Sequence, residues 1–365
     1  MELGSFMMPA HPRSRGLAEG HYHDLDTIEY LDALGYREAW VGEHYMLPAE
    51  PHPSPDLLLA QAILRTKQIM LAPGGFMLPF HHPAELAHRI CMLDHMAQGR
   101  FMVGIGASGT TLDLEMFDID HRAGVNREMT DESIDIMVRL WESDGPFEYK
   151  GKFWTVRRPE DMESKISAYH IKPFQKPYPR IGVTGLSPRS PTLKLAGARG
   201  WIPISFCFTP EYLRTHWESV CEGAEKAGRA PPARADWRVS RAIFVAETEK
   251  DAWDLSVNGE MGRYYREDYL PLAAWGGMLN SLKHSPDVPD SDVTVEYCAK
   301  HCWLIGTPDT VAERIEEMQH RSGGFGVLHV LGIDHLDEMT TWRASLKALA
   351  EEVAPRFKTV RMAAE

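Results

Sequence analysis

The sequence predicts an α/β fold, a (β/α)8 TIM barrel. Eight short apolar runs read as strands, helical patterns of longer period separate most of them, and 365 residues suffice for eight such units. Parallel strands need a crossover of a dozen or more residues to return, and a helix supplies it. An open doubly wound sheet uses the same units, but eight of them favour closure.

The first strand is Leu3–Met8. A helix follows over Asp24–Leu34, with Leu25, Ile28 and Leu31 on one face and Gly35 as its stop. Glu38–Gly42, Ile69–Ala72 and Arg100–Ile105 read as strands two to four. Pro83 opens a helix through Leu86, Ile90 and Leu93 that Gly99 closes. Asn126–Trp141 is amphipathic, with Ile134, Met137, Val138 and Trp141 on one side. Strand five is Arg180–Val183, followed by a helix over Pro191–Ala198, and strand six is Ile202–Phe206. A helix over Tyr212–Ala227, strand seven near Val239–Ala246 and a helix over Lys250–Tyr265 come next. Pro308–Gln319 (helix), Val327–Leu331 (strand eight) and Leu336–Val353 (helix) end the pattern. Residues 1–365 read as one domain, with irregular insertions near 144–179 and 267–300.

Composition narrows the function. Lys and Arg number 39 against 52 Asp and Glu, giving −13 at neutral pH. Without a basic cluster, this chain is poorly suited to gripping phosphate backbones, so no nucleic-acid partner is expected. No apolar run approaches the roughly 18 residues of a membrane span, and Met1–Phe6 does not open like a signal peptide. Five scattered cysteines, Cys91, Cys207, Cys221, Cys298 and Cys302, read as reduced thiols, and a cytoplasmic location is expected.

In such a barrel the chemistry lies in the loops after the strands' C-terminal ends. Glu43, His44 and Tyr45 follow strand two, and His44 is a candidate general base oriented by Glu43. Gly74, Gly75 and Phe76 follow strand three, and Gly106, Ala107 and Ser108 follow strand four; glycine there admits a flat ligand against the backbone. After strand five, Thr184, Gly185, Leu186, Ser187, Arg189 and Ser190 lead into a helix N-terminus, an arrangement suited to phosphate. The same residues also fit an ordinary capped turn, with Ser190 as cap and Pro191 at the first helical position. His21 and His23 have the spacing of a metal-binding pair but stand far from strand one, and no metal is expected. A G-x-S-x-G nucleophile elbow is missing.

Several words of the sequence resemble the bacterial luciferase-like flavin monooxygenases, and among them the diketocamphane and limonene monooxygenase branch. They are Gly42-Glu43-His44, Gly99-Arg100-Phe101, Val183-Thr184-Gly185-Leu186, Pro203-Ile204-Ser205-Phe206 and Gly306-Thr307-Pro308-Asp309-Thr310-Val311, in that order along nearly the whole chain. The resemblance implies a homodimeric barrel binding FMN, supplied as FMNH2 by a separate NAD(P)H:flavin reductase. It implies oxygenation of a small hydrophobic substrate through a C4a-peroxyflavin, by Baeyer–Villiger insertion into a ketone or by alkene oxygenation. His44 then takes the catalytic position. The loops with Gly74, Gly75, Ala107 and Ser108 face the flavin ring, and Thr184 to Ser190 hold its phosphate. Tyr45, Phe76, His81, Trp154 and Phe206 are expected to face the substrate. Gly106 and Ala107 stand where luciferase has a cysteine and a phosphate-facing arginine, which makes Arg189 the candidate replacement. The same barrel also serves F420-dependent dehydrogenases, which transfer hydride, and a non-catalytic flavin-binding protein is the third reading.

Overall fold

Among residues 1–206 and 210–357, which the computed structural model describes, there are thirteen strands, nine of them in one parallel sheet that closes into a barrel. They are β1 (Glu2–Met7), β2 (Glu38–Val41), β3 (Met70–Pro73), β4 (Phe76–Met77) and β5 (Val103–Gly106), then β6 (Phe147–Lys150), β7 (Thr155–Arg158), β8 (Ile181–Gly185) and β9 (Ile202–Ser205), and lastly β10 (Arg238–Arg241), β11 (Ile243–Val245), β12 (Leu304–Gly306) and β13 (Val327–Gly332). The main sheet runs β3-β2-β1-β13-β10-β9-β8-β5-β4, and all its pairings are parallel. A bridge between Leu71 and Phe101 closes it, with Leu71 N–H donating to the Arg100 carbonyl and Met102 N–H to Leu71, both at 2.9 Å. The strands are buried on both faces, as parallel strands under a ring of helices must be.

The departures from expectation have local causes. A helix over Pro55–Arg65, missed in the sequence, carries β2 to β3; its Leu57–Leu58–Leu59 run masks the helical period. Strand seven is two strands, because the chain kinks at Ala242 and β11 leaves the barrel sheet to pair with β12. The insertion near 144–179 contains the antiparallel hairpin β6–β7. Glu132, on the helix Val125–Glu142, accepts from the N–H groups of Lys152, Phe153 and Trp154 and so fastens the hairpin's turn. Cys207 lies outside the described residues; the other four cysteines are free thiols. No helix among the described residues is long and apolar enough to cross a membrane.

A polar cluster crosses the barrel interior beside its apolar core. Glu38 opens β2 with no exposure. It accepts a two-point contact from Arg238 (3.0 and 2.9 Å), a bond from the Trp40 indole at 2.9 Å, and one from the His329 Nε2 at 2.8 Å. Burial pushes this carboxyl up, but His329 and Arg238 outweigh it and hold it well below the usual carboxylate range. Gly4 of β1 makes the room, since a Cβ there would stand 2.7 Å from the His329 ring and 2.8 Å from the Glu38 side chain.

At the other end, His11, in the loop after β1, ties the helix Leu17–Ala33 to the loop after β13. Its Nδ1 lies 2.8 Å from Asp334 and its Nε2 3.1 Å from Asp24. Burial disfavours its charged form, yet the two carboxylates raise the imidazole to about 9. His21 and His23 diverge: His21 meets Gln61 on the outside, while His23 is buried and accepts from the His335 N–H. No group of three or more His, Cys, Asp or Glu among the described residues is placed to hold a metal ion.

Candidate active site

Three buried carboxylates lie near His44: Glu43 and Glu50 from the loop after β2, and Asp113 from the helix Thr111–Met116. The His44 Nε2 lies 3.2 Å from Glu50 Oε2, and its Nδ1 lies 3.5 Å from Asp113 Oδ2. Asp113 is fixed from its other oxygen, which accepts from the N–H groups of Met46 (2.6 Å) and Tyr45 (3.3 Å). Burial opposes a charge on His44, but Asp113, Glu50 and Glu43 together raise its proton affinity. The three carboxylates thus favour a proton on this imidazole. His44 Nδ1, Glu50 Oε2 and Asp113 Oδ2 are buried and make no hydrogen bond of good geometry. Three such atoms together mark a place where polar groups await a partner.

The expected orienting residue, Glu43, is turned elsewhere. It accepts from His81 Nε2 (2.8 Å), the Tyr45 hydroxyl (3.1 Å) and the Met77 N–H (3.0 Å), so three donors consume its oxygens. Glu50 and Asp113 take the role that sequence proximity gave to Glu43. His81, with Glu43 on one side and the Arg89 guanidinium 3.0 Å from its Nδ1, is part of this scaffold. Tyr45 packs edge-on against Phe80 and Phe117. Phe76 is fully buried against His81, with Arg89 over its ring. Trp154 packs on His82 from the hairpin. Tyr45, Phe76, His81 and Trp154 line neither cavity at the mouth.

The cavities lie elsewhere. One of about 250 Å³ has an apolar wall of Leu47, Leu112, Leu272 and Trp275, with Glu50 and Tyr264 among its polar groups. A smaller one, of about 20 Å³, is lined by Phe206, Met8, Tyr264 and Tyr269. Phe206, edge-on to Phe6 at 4.7 Å, is the expected substrate-facing residue that the structure brings to a cavity. The cavity walls come from the segment around 264–275, at the start of the second insertion, and not from the first insertion's aromatics.

The glycines after β3 and β8 have packing reasons. A Cβ on Gly74 would stand 2.9 Å from the Phe6 ring, one on Gly75 3.0 Å from the Ile105 nitrogen, and one on Gly185 2.5 Å from Leu193. Ala107 and Ser108 are half-buried, and Asn126 Nδ2 donates to both carbonyls. Ser108 adopts φ +59°. Thr184, within β8, is half-buried; beyond the strand Leu186 to Arg189 are exposed, and the Arg189 guanidinium stands 4.0 Å from Glu222. Ser190 is buried and caps the helix Pro191–Arg199, its Oγ accepting from Leu193 N–H at 3.4 Å. The Ser187 carbonyl accepts from His216 Nε2 at 2.9 Å; burial lowers that imidazole to about 4, so it is neutral and its other nitrogen meets Ser205. The phosphate and capping readings thus divide between residues: Ser190 caps, while the exposed turn before it remains open to a ligand.

The family model described as luciferase-like monooxygenase matches residues 1–324. The chain is 32% identical to 3,6-diketocamphane 1,6-monooxygenase of Pseudomonas putida, over 98% of each chain. It is 32% identical to limonene 1,2-monooxygenase of Rhodococcus erythropolis, over 98% of this chain and 87% of the relative. Among solved structures, the oxygenating constituent of 3,6-diketocamphane monooxygenase from the CAM plasmid of P. putida, a type II Baeyer–Villiger monooxygenase in complex with FMN, superposes with a TM-score of 0.92 at 32% identity over 98% of both chains.

Proposed function

The chain belongs to the luciferase-like monooxygenase family, and from that premise we propose that it is the FMN-dependent oxygenating component of a two-component system acting on a small hydrophobic ketone or alkene. The observation that carries this reading is the place of His44: a proton-holding imidazole at the C-terminal ends of the strands, one carboxylate away from a cavity of about 250 Å³ with a largely apolar wall. Such a volume and lining suit a monoterpenoid-sized molecule.

FMN is compatible with this mouth. Its ring carries both hydrogen-bond donors and acceptors, which match the unsatisfied atoms of His44, Glu50 and Asp113. The turn Leu186–Arg189 before the helix Pro191–Arg199 would hold the phosphate, with Arg189 as its charge partner. Thr184, Ala107 and Ser108 would frame the ring. Bound and reduced, the flavin supplies two electrons to O2, so that one oxygen atom enters the product and the other leaves as water. The protein's own residues exclude water and place one proton. Asp113 and Glu50 favour the protonated, donating form of His44, and the Glu43–His81–Arg89 scaffold fixes the loop that carries it.

No Rossmann unit opens the chain, and its G-x-G-x-x-G, Gly104 to Gly109, lies on β5 within the barrel sheet and the loop after it, so a separate NAD(P)H:flavin reductase is the electron source. The test supplies FMN, NADH, such a reductase and 18O2, with diketocamphane isomers and limonene as first probes. One labelled oxygen per product molecule is expected by mass spectrometry. Label-free products across ketones and alkenes, from a protein that binds FMN, would overturn the reading.

Residues 1–365 act as one unit in the cytoplasm and, in this reading, as a homodimer. Leu57 and Leu64 on the helix Pro55–Arg65 and Met92 and Met96 on the neighbouring helix Pro83–Ala97 form an exposed apolar face. Leu64 is 84% exposed, and a second copy covers such a face. Leu64→Glu is expected to convert a dimer of twice the chain mass into monomer by light scattering. A wild-type monomer at micromolar concentration would exclude the dimer.

A further inference from the structure

We propose that Glu50, anchored by Tyr264, is a positioning residue for His44: the pair fixes the imidazole with Nε2 toward the carboxylate and keeps a proton on the ring, between the barrel mouth and the cavity. The use of that proton rests on the oxygenase reading above; the arrangement itself does not.

The geometry points one way. Tyr264 is buried and donates its hydroxyl to Glu50 Oε1 at 2.6 Å. A phenol in this setting keeps its proton, because burial and the carboxylate beside it both raise its affinity. Oε1 is therefore committed as an acceptor, and Oε2, 3.2 Å from His44 Nε2, is the atom left to share a proton with the ring. Glu50 is 3% exposed. Burial pushes its carboxyl up against the pull of His44 and the Tyr264 bond, which is the condition for one proton held between the two.

The backbone holds both partners in one frame. Glu50 N–H donates to the Leu47 carbonyl at 3.0 Å, His52 N–H to the Glu50 carbonyl at 2.8 Å, and His44 N–H to the His52 carbonyl at 3.0 Å. The loop that carries the carboxylate is thus bonded back onto the residue it orients.

The other charged groups facing the ring do not replace Glu50. Glu43, on His44's own segment, is occupied by His81, Tyr45 and Met77. Asp113, on the helix Thr111–Met116, stands 3.5 Å from Nδ1 and is the strongest single influence favouring the charged ring, but it faces the other nitrogen and leaves Nε2 to Glu50. Asp268 faces Glu50 from the segment after Tyr264 and is bonded by Arg13 at 3.0 Å. His52 contributes its backbone carbonyl to His44. Since Glu50 and Tyr264 also line the cavity of about 250 Å³, they set both the ring's proton and a polar edge that the substrate meets.

The test is an NMR titration of the full chain labelled with 13C and 15N at histidine, without flavin, with the His44 signal assigned from its loss in His44→Asn. The wild-type ring is expected to titrate above the ordinary value of about 6.5. Glu50→Gln is expected to lower its midpoint by about one pH unit, a tenfold loss of proton affinity. Tyr264→Phe keeps the ring packing and frees Oε1; it is expected to lower the midpoint less and to change the 15N shifts that report which nitrogen holds the proton. If Glu50→Gln is insoluble, Tyr264→Phe and Glu50→Asp carry the test. Midpoints and 15N shifts that stay at wild-type values in the folded variants would overturn the proposal. A shifted titration in a protein that incorporates no 18O would leave the pair standing and overturn the oxygenase reading instead.

Discussion

Glu38→Ala is expected to destabilise the protein by about 3–5 kcal/mol, the cost typical of removing one partner from a buried ion pair. The change leaves the Arg238 guanidinium inside the barrel with no exposure and only the Asp236 carboxylate, 3.5 Å away, and strands the donors of Trp40 and His329. Gly4 adds to the loss, because its missing Cβ was the space the cluster filled, and the small alanine leaves a void beside it. Urea unfolding followed by tryptophan fluorescence measures the effect as a lower midpoint. Glu38→Gln keeps the volume and loses the charge, so it separates packing from electrostatics. The pH dependence has a defined sign. Because the folded-state carboxyl lies below its unfolded value, its contribution is present above the unfolded value of about 4.3 and is lost as pH falls toward the folded one. The wild type's advantage over Glu38→Gln should therefore shrink in acid. An unchanged midpoint in Glu38→Ala would mean that the cluster is dispensable to the fold.

The barrel was legible because its two periods are. Runs such as Leu3–Met8 and Val327–Leu331 are too apolar for a half-exposed strand, and helices such as Asn126–Trp141 show a clean apolar stripe; both survive in the structure as β1, β13 and Val125–Glu142. The elements that escaped are short or apolar throughout. β12 has three residues and is a strand only because β11 pairs with it, a partnership set by the kink at Ala242 that no local pattern announces. The helix Pro55–Arg65 carries leucine at three consecutive positions, and the exposed Leu57 and Leu64 blur its stripe.

The candidate site was legible in position but not in its partners. The rule that chemistry follows the strands' C-terminal ends led to His44, the loop after β5 and the turn after β8. Sequence adjacency then suggested Glu43 as the orienting carboxylate, whereas the chain turns after His44 and brings back Glu50, six residues on, and Asp113 from another loop. Tyr264 is more than 200 positions away from Glu50. Such contacts are made by closure of the barrel, and only Asp113's place, a few residues beyond the loop after β5, offered a clue. The glycines carry a second reason that sequence does not show. Gly75 and Gly185 read as openings for a ligand, and each also leaves room for a neighbour that a Cβ would strike.

His44→Ala is expected to lower oxygenated product by about 10²- to 10⁴-fold, the range for loss of a positioned proton donor or base. FMN binding should largely persist, because the turn Leu186–Arg189 and the loop Ala107–Ser108 assigned to it remain, and Glu50 and Asp113 still offer acceptors to the flavin ring. The expected pattern is a fall in turnover with flavin fluorescence quenching at wild-type concentrations. Removing the ring also leaves Glu50 and Asp113 facing each other across the vacated space, so stability must be measured alongside. His44→Gln serves that purpose by retaining a donor of similar reach that cannot titrate. Added imidazole, small enough to enter the space, should restore part of the activity to His44→Ala and none to His44→Gln. The pH profile of the wild type carries the same information: since the folded-state imidazole lies above its ordinary value, activity that needs its proton extends to higher pH than an ordinary imidazole allows and declines as pH rises through the raised value. Product formation unchanged in a folded His44→Ala would remove His44 from the chemistry. Loss of flavin binding in step with activity would recast it as a cofactor-binding residue.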